Sequence, residues 1–114
     1  AQGETCLELD PAPVVKAAVA DRLAGIPAGV ISARFHSGLA AAAAAAALKL
    51  AGEAGLETVC LSGGVFQNRA LLDDLDRRLS KAGLKVLWNS RVPSNDGGIA
   101  LGQAWYAING FRAE

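Results

Sequence analysis

The chain has 114 residues, with 11 Lys and Arg against 11 Asp and Glu and a formal net charge of zero. That length fits one domain, and the absence of a basic excess argues against a general nucleic-acid or membrane-surface binder. Apolar residues make up 52%; much of this is alanine, but the remainder is still too much for a disordered chain.

Only the stretch around Leu39–Leu48 approaches a membrane-length apolar run, and its residues are small and weakly hydrophobic, so we expect a soluble helix and no membrane contact. The first residues lack a basic segment followed by an apolar one, so no signal peptide is expected. The absence of Met leads us to expect one domain, residues 1–114, cut from a longer protein. Cys6 and Cys60 are expected to be reduced and buried, in a cytoplasmic protein, because a chain of this size needs no covalent staple. No CxxC or His/Cys cluster is present, so a self-contained zinc site is not expected.

In chain order, residues 4–9 alternate polar and apolar and read as a short strand. Asp10 and Pro11 read as N-cap and first helical residue, with Val15, Val19 and Leu23 as the apolar stripe of the helix that follows. Gly25 ends it. A longer helix is expected from about Pro27 to Ala54, with Ile31, Phe35 and Leu39 on its buried side. Its unbroken alanine run, Ala40–Ala47, has the best helix propensity and little bulk, so a neighbour can approach closely. Gly52 and Gly55 close it. Thr58–Leu61 is a β-branched apolar run expected as a buried strand. Leu71, Leu72, Leu75 and Leu79 have helical spacing, and Gly83 ends that helix. Lys85–Trp88 reads as a second strand. A loop follows, and Asp96-Gly97-Gly98 opens a last helix with Ile99, Leu101, Ala104, Trp105 and Ile108 as its apolar positions. The order implies an α/β fold with parallel strands joined by helical crossovers.

Two glycine-rich turns follow the two strands. In open α/β sheets, ligands bind off the carboxyl ends of strands, where glycine lets backbone N–H groups approach an anion. Ser62-Gly63-Gly64-Val65 and Asn68 have this character, and Asn68 offers both a donor and an acceptor. The same residues also suit a plain strand-to-helix turn with Asn68 as cap. Asp96 could ligate a metal given partners from elsewhere, or simply cap the last helix. His36, the only histidine, reads as a hydrogen-bonded structural residue, with ligand or partner contact as the alternative. The charged run Asp73 to Arg78 reads as a solvated helix face. Trp88, Trp105 and Tyr106 are too few for a nucleic-acid stacking platform and read as core or domain-contact residues.

Taken together, Leu61-Ser-Gly-Gly-Val-Phe-Gln-Asn68 and Val92-Pro-Ser-Asn-Asp-Gly-Gly-Ile-Ala-Leu-Gly-Gln103, with Arg34-Phe35-His36 upstream, resemble the C-terminal part of HypF-type hydrogenase maturation carbamoyltransferases. The likeness runs from about Ile26 to Tyr106. It implies the C-terminal lobe of an actin-like ATPase (ASKHA, ribonuclease H-like) domain, a short mostly parallel sheet with packed helices. It also implies a multidomain parent that uses carbamoyl phosphate and ATP to make carbamoyl-adenylate. That parent carbamoylates the C-terminal cysteine of a HypE-like partner, toward the cyanide ligand of nickel–iron hydrogenases. By the same resemblance, Ser62, Gly63, Gly64, Val65 and Asn68 hold the nucleotide. Asp96 completes a divalent metal site (Fe, Zn or Mg) whose histidines lie in the preceding lobe; His36 does not fit their motif. No catalytic residue is assigned, and the isolated chain is expected to be inactive and to self-associate through uncovered faces. The alternatives are the related TsaD-type tRNA threonylcarbamoyladenosine synthases, O-carbamoyltransferases of antibiotic synthesis, and a non-catalytic docking lobe. Phe66-Gln67 before Asn68, and Asn95-Asp96-Gly97-Gly98, favour the HypF type over the TsaD type.

Overall fold

A computed structural model of the chain describes residues 6–110. Its elements are α1 (Ala12–Leu23), α2 (Ala28–Ala54), β1 (Thr58–Leu61), α3 (Arg69–Lys81), β2 (Lys85–Trp88) and α4 (Ile99–Asn109), with short 3-10 turns at Gly64–Gln67 and Asp96–Gly98. The strand expected over 4–9 does not form in its described part: residues 6–10 are irregular, and residues 4 and 5 lie outside the described region.

Asp10 begins α1, but one position out of step with expectation. Pro11 occupies the N-cap, and the Asp10 carboxylate accepts the Ala12 N–H at 2.9 Å, satisfying one of the orphan donors of the first turn. The docking face of α1 is also displaced from the expected stripe. Val15, Val19 and Leu23 are 48%, 54% and 84% exposed, whereas Val14, Ala18 and Asp21 are half-buried. The reason lies across the interface. Gly38 of α2 has no side chain, and a Cβ there would stand 3.5 Å from a Val14 methyl. The notch at Gly38 therefore receives Val14 and fixes which side of α1 faces α2. The contact is closed by Arg34, whose Nη1 donates to both Asp21 carboxylate oxygens at 3.0 Å.

α2 ends as its glycines lead one to expect. Gly55 adopts the left-handed conformation, φ +65°, and the Leu56 N–H returns to Ala51 O at 2.9 Å, which satisfies a last-turn carbonyl. By length and composition α2 is long and apolar enough to cross a bilayer. Here its alanine face is the floor on which α3 packs. Ala40 and Ala44 of α2, Leu61 of β1, and Leu71, Leu72, Leu75 and Leu79 of α3 form the core, with Ala40 and Leu79 at 0% exposure.

β1 and β2 pair in parallel, in register from Thr58–Lys85 to Leu61–Trp88, with α3 as the crossover between them. The sheet is covered on one face only. Leu61 is buried and Val59 and Val86 half-buried, while Thr58, Cys60, Leu87 and Trp88 are exposed. The expectation of a fully buried strand is thus half right: helices lie against one side, and the other side is bare. This also corrects the expected burial of the cysteines, since Cys6 and Cys60 are both free and both exposed. α4 continues the pattern, with Trp105 64% and Ile108 79% exposed. The radius of gyration is 17.7 Å, against roughly 13 Å for a compact domain near this length, so the elements are spread rather than closed around one centre.

A polar layer flanks the core between α2 and α3. Half-buried Asp74 bonds both Arg77 and, at 3.1 Å, Arg78, and Arg78 reaches across to the Ser37 hydroxyl at 2.9 Å. The Arg77 guanidinium, followed by Arg78, holds the Asp74 carboxyl below its ordinary value of 3.8, against the opposing effect of partial burial. A carboxyl depressed on folding contributes stability above its unfolded value and loses it as pH falls through the folded one. Asp74→Asn should therefore melt below the wild type at neutral pH, and the gap should close on acidification below about pH 3.8, as read by thermal melts across that range.

Candidate functional site

The register of the sheet is what creates the site. Because Leu61 stands beside Trp88, Ser62 and Asn89 leave the carboxyl ends of neighbouring strands together, and both turns open on the same side. They are joined directly: the Gly63 N–H donates to Ser94 O at 2.9 Å. Gly63 holds φ +113° and ψ 159°, a region that only glycine occupies without strain of about 1–3 kcal/mol. Between the turns lies a polar cleft of about 290 Å³ whose walls include Ser62, Gly63 and Gly64 on one side and Asn89, Asn95 and Asp96 on the other.

The second turn is shaped by close packing. A Cβ on Gly98 would stand 2.7 Å from Pro93 O, so only glycine fits. The cap of this turn is Asn95, whose Oδ1 accepts the Gly97 N–H at 2.9 Å. The plainer sequence reading, in which Asp96 itself caps the helix, therefore does not hold. With Asn95 in that role, the exposed Asp96 carboxylate has no hydrogen-bond or ion-pair partner among the described residues and stands at the wall of the cleft. It fits as one oxygen donor to a metal. No group of three or more His, Cys, Asp or Glu that could hold a metal ion occurs among the described residues, so further protein ligands would have to come from outside them.

The cleft unites four of the six residues singled out from the sequence: Ser62, Gly63, Gly64 and Asp96. Val65 and Asn68 are not in its walls. Val65 is 54% exposed in the 3-10 turn beyond it. Asn68 caps α3, its Oδ1 accepting the Leu71 N–H at 3.3 Å, while its Nδ2 lies 2.7 Å from His36 Nε2 on α2. Two features went unread in the sequence. One is Asn89, whose only signal was that it follows the second strand as Ser62 follows the first. The other is the His36–Asn68 pairing, which joins residues 32 positions apart and has no local signal.

Comparison with known proteins gives a consistent picture. Residues 1–103 match the family described as carbamoyltransferase, Kae1-like domain, second subdomain. The chain is 42% identical over 100 residues to the carbamoyltransferase HypF2 of Cupriavidus necator, covering 88% of this chain and 12% of that protein. It is 35% identical over 100 residues to the carbamoyltransferase HypF of a Synechocystis strain, again covering 88% of this chain and 12% of that protein. Among solved structures, full-length HypF in a phosphate- and nucleotide-bound form superposes with a TM-score of 0.88 at 38% identity, over 97% of this chain and 15% of that one. The HypF of T. kodakarensis superposes with a TM-score of 0.73 at 25% identity, over 93% of this chain and 15% of that one. The chain thus spans about one-eighth of the length of these curated relatives.

The two roles in the second turn separate cleanly by substitution. Asn95→Ala should lower stability by about 0.5–2 kcal/mol through loss of the cap. Asp96→Ala should change it by less than about 0.5 kcal/mol, as expected for an exposed side chain without partners. Chemical denaturation of both variants measures the difference.

Proposed function

Because this chain belongs to the HypF carbamoyltransferase family, as the second subdomain of its Kae1-like domain, we propose that it forms one wall of the carbamoyl-transfer site of a larger, cytoplasmic hydrogenase maturation enzyme. The observation that carries this is the convergence of both glycine turns, with an Asp96 that has no side-chain partner among the described residues, at the carboxyl ends of two parallel strands. That is the place where such sheets receive phosphorylated ligands.

In this reading the parent uses carbamoyl phosphate and ATP to form carbamoyl-adenylate, and the nucleotide part of that adenylate lies along Ser62–Val65 and Asn68. Gly64 faces open space apart from the Asn95 Cβ, 4.0 Å from where its own Cβ would be, so a phosphate can approach the backbone there. A divalent metal held in part by Asp96, when bound, supplies a positive charge that polarises the carbamoyl or phosphate oxygen. The thiolate of a HypE-like partner's C-terminal cysteine attacks the carbamoyl carbon, a C–S bond forms, and the bond to the AMP oxygen breaks. This lobe's part is to position the adenylate for that attack. The bare sheet face and α4 are the surfaces on which the rest of the parent chain would lie; without it, the isolated lobe is expected to be inactive and to self-associate.

The test is carbamoyl transfer to a HypE-like acceptor by the full-length protein that carries this lobe. Asn68→Ala and Asp96→Ala should each lower transfer roughly tenfold or more, with circular dichroism showing an intact fold. Wild-type transfer by both variants would overturn the assignment and leave a docking lobe in its place.

A further inference from the structure

We propose that His36, on α2, is a positioning residue for the nucleotide turn, acting through Asn68. This rests on the reading of Asn68 as a nucleotide-contacting residue. The argument is one of hydrogen-bond polarity. His36 Nδ1 lies 2.7 Å from Ser32 O, the carbonyl one helical turn before it. A carbonyl only accepts, so Nδ1 carries the proton. In the neutral ring Nε2 is then bare and can only accept, and 2.7 Å from it stands Asn68 Nδ2. The orientation of the Asn68 amide is set independently, because its Oδ1 must face the Leu71 N–H. Each of the three bonds thus dictates the direction of the next, from the α2 backbone through the imidazole to the first turn of α3.

The consequence for the site lies in what is left over. The Asn68 amide has two N–H donors and two acceptor lone pairs. His36 uses one donor and Leu71 one lone pair, so one of each remains for a ligand, pointing in a direction that the imidazole fixes. Without His36 the amide keeps its cap but can swing about it, and the turn from Gly64 to Asn68 loses its side-chain hydrogen bond to α2. This is a role for the Arg34-Phe35-His36 segment that the cleft itself does not explain, since none of its residues lines the cleft.

The ion pairs on the neighbouring elements lie elsewhere. Arg34 of α2 holds Asp21 of α1, Arg77 and Arg78 of α3 hold Asp74, and Arg69 holds Asp73. None of these pairs includes His36.

The experiment measures ATP affinity calorimetrically in the full-length protein carrying this lobe. Wild type is compared with His36→Leu, His36→Gln and Asn68→Ala. His36→Leu should bind ATP roughly three- to tenfold more weakly, the loss expected for one orienting hydrogen bond. His36→Gln, whose amide oxygen can accept from Asn68, should stay within about twofold of wild type. Wild-type affinity in His36→Leu, with Asn68→Ala impaired, would overturn the positioning role and leave Asn68 in the site. A loss in His36→Gln as large as that in His36→Leu would also overturn it. Unchanged affinity in Asn68→Ala would remove Asn68 from the site and the inference with it.

Discussion

Everything in this lobe depends on how closely α3 lies on α2. The contact is made by bulky leucines on one side, Leu71, Leu72, Leu75 and Leu79, and by alanines on the other, with Ala40 and Ala44 buried beneath them. Alanine in α2 serves two ends. It favours the helix, and its small side chain lets the α3 backbone come near enough for polar contacts across the seam. Arg78 reaches Ser37 at 2.9 Å and Asn68 reaches His36 at 2.7 Å. Leucine in place of Ala40 or Ala44 would push the helices apart and strain a filled core, and both cross-seam bonds would be stretched with it.

The position of α3 determines the position of the cleft. α3 begins at Asn68, directly after the first glycine turn, and leads into β2, whose register brings Trp88 beside Leu61. The two turns then meet at one end of the sheet and are held by the bond from Gly63 to Ser94. A shift of α3 along α2 would move the first turn relative to the second. The alanine–leucine seam, the strand register and the cleft are one mechanical unit: Gly63 gives it a backbone conformation that only glycine adopts without strain, and Gly98 leaves room for the Pro93 carbonyl where a Cβ would clash.

Most of the element boundaries were legible because they are marked by local chemistry: β1 and β2 by short apolar runs, α2 by its alanines and Gly55, α3 by its leucines. The errors share a different cause. The α1 stripe was misplaced because two valines in succession leave the helical face ambiguous, and only Gly38 on another helix decides it. The burial of β1 and Cys60 was overestimated because an apolar run reports what a strand can be covered by, not whether a second layer is there. The cap of the last turn fell to Asn95 rather than Asp96 because two adjacent residues both suit it, and the backbone at Gly97 selects between them. In the site, the glycines and Asp96 were legible as turn chemistry, and the two turns only as a resemblance. The placement of Asn68 against His36 was beyond reach, since it is a contact between distant residues.

The exposed surfaces and the incomplete donor set point the same way. Burial of a Trp or Ile side chain is worth about 1.5–3 kcal/mol, yet Trp105, Ile99 and Ile108 forgo it here, as does the outer face of the sheet. Asp96, meanwhile, stands at the cleft wall with no side-chain partner among the described residues, and in the proposed reading it is a single donor where a metal site needs three or four. In that reading the apolar faces and the site would be completed by one event. A partner surface that covered α4 and the open sheet face would lie against the strand ends, where it could bring further ligands to Asp96. Burying the apolar faces would then supply the free energy that assembles the site, and folding of the lobe against its partner would be the step that makes the cleft competent to bind.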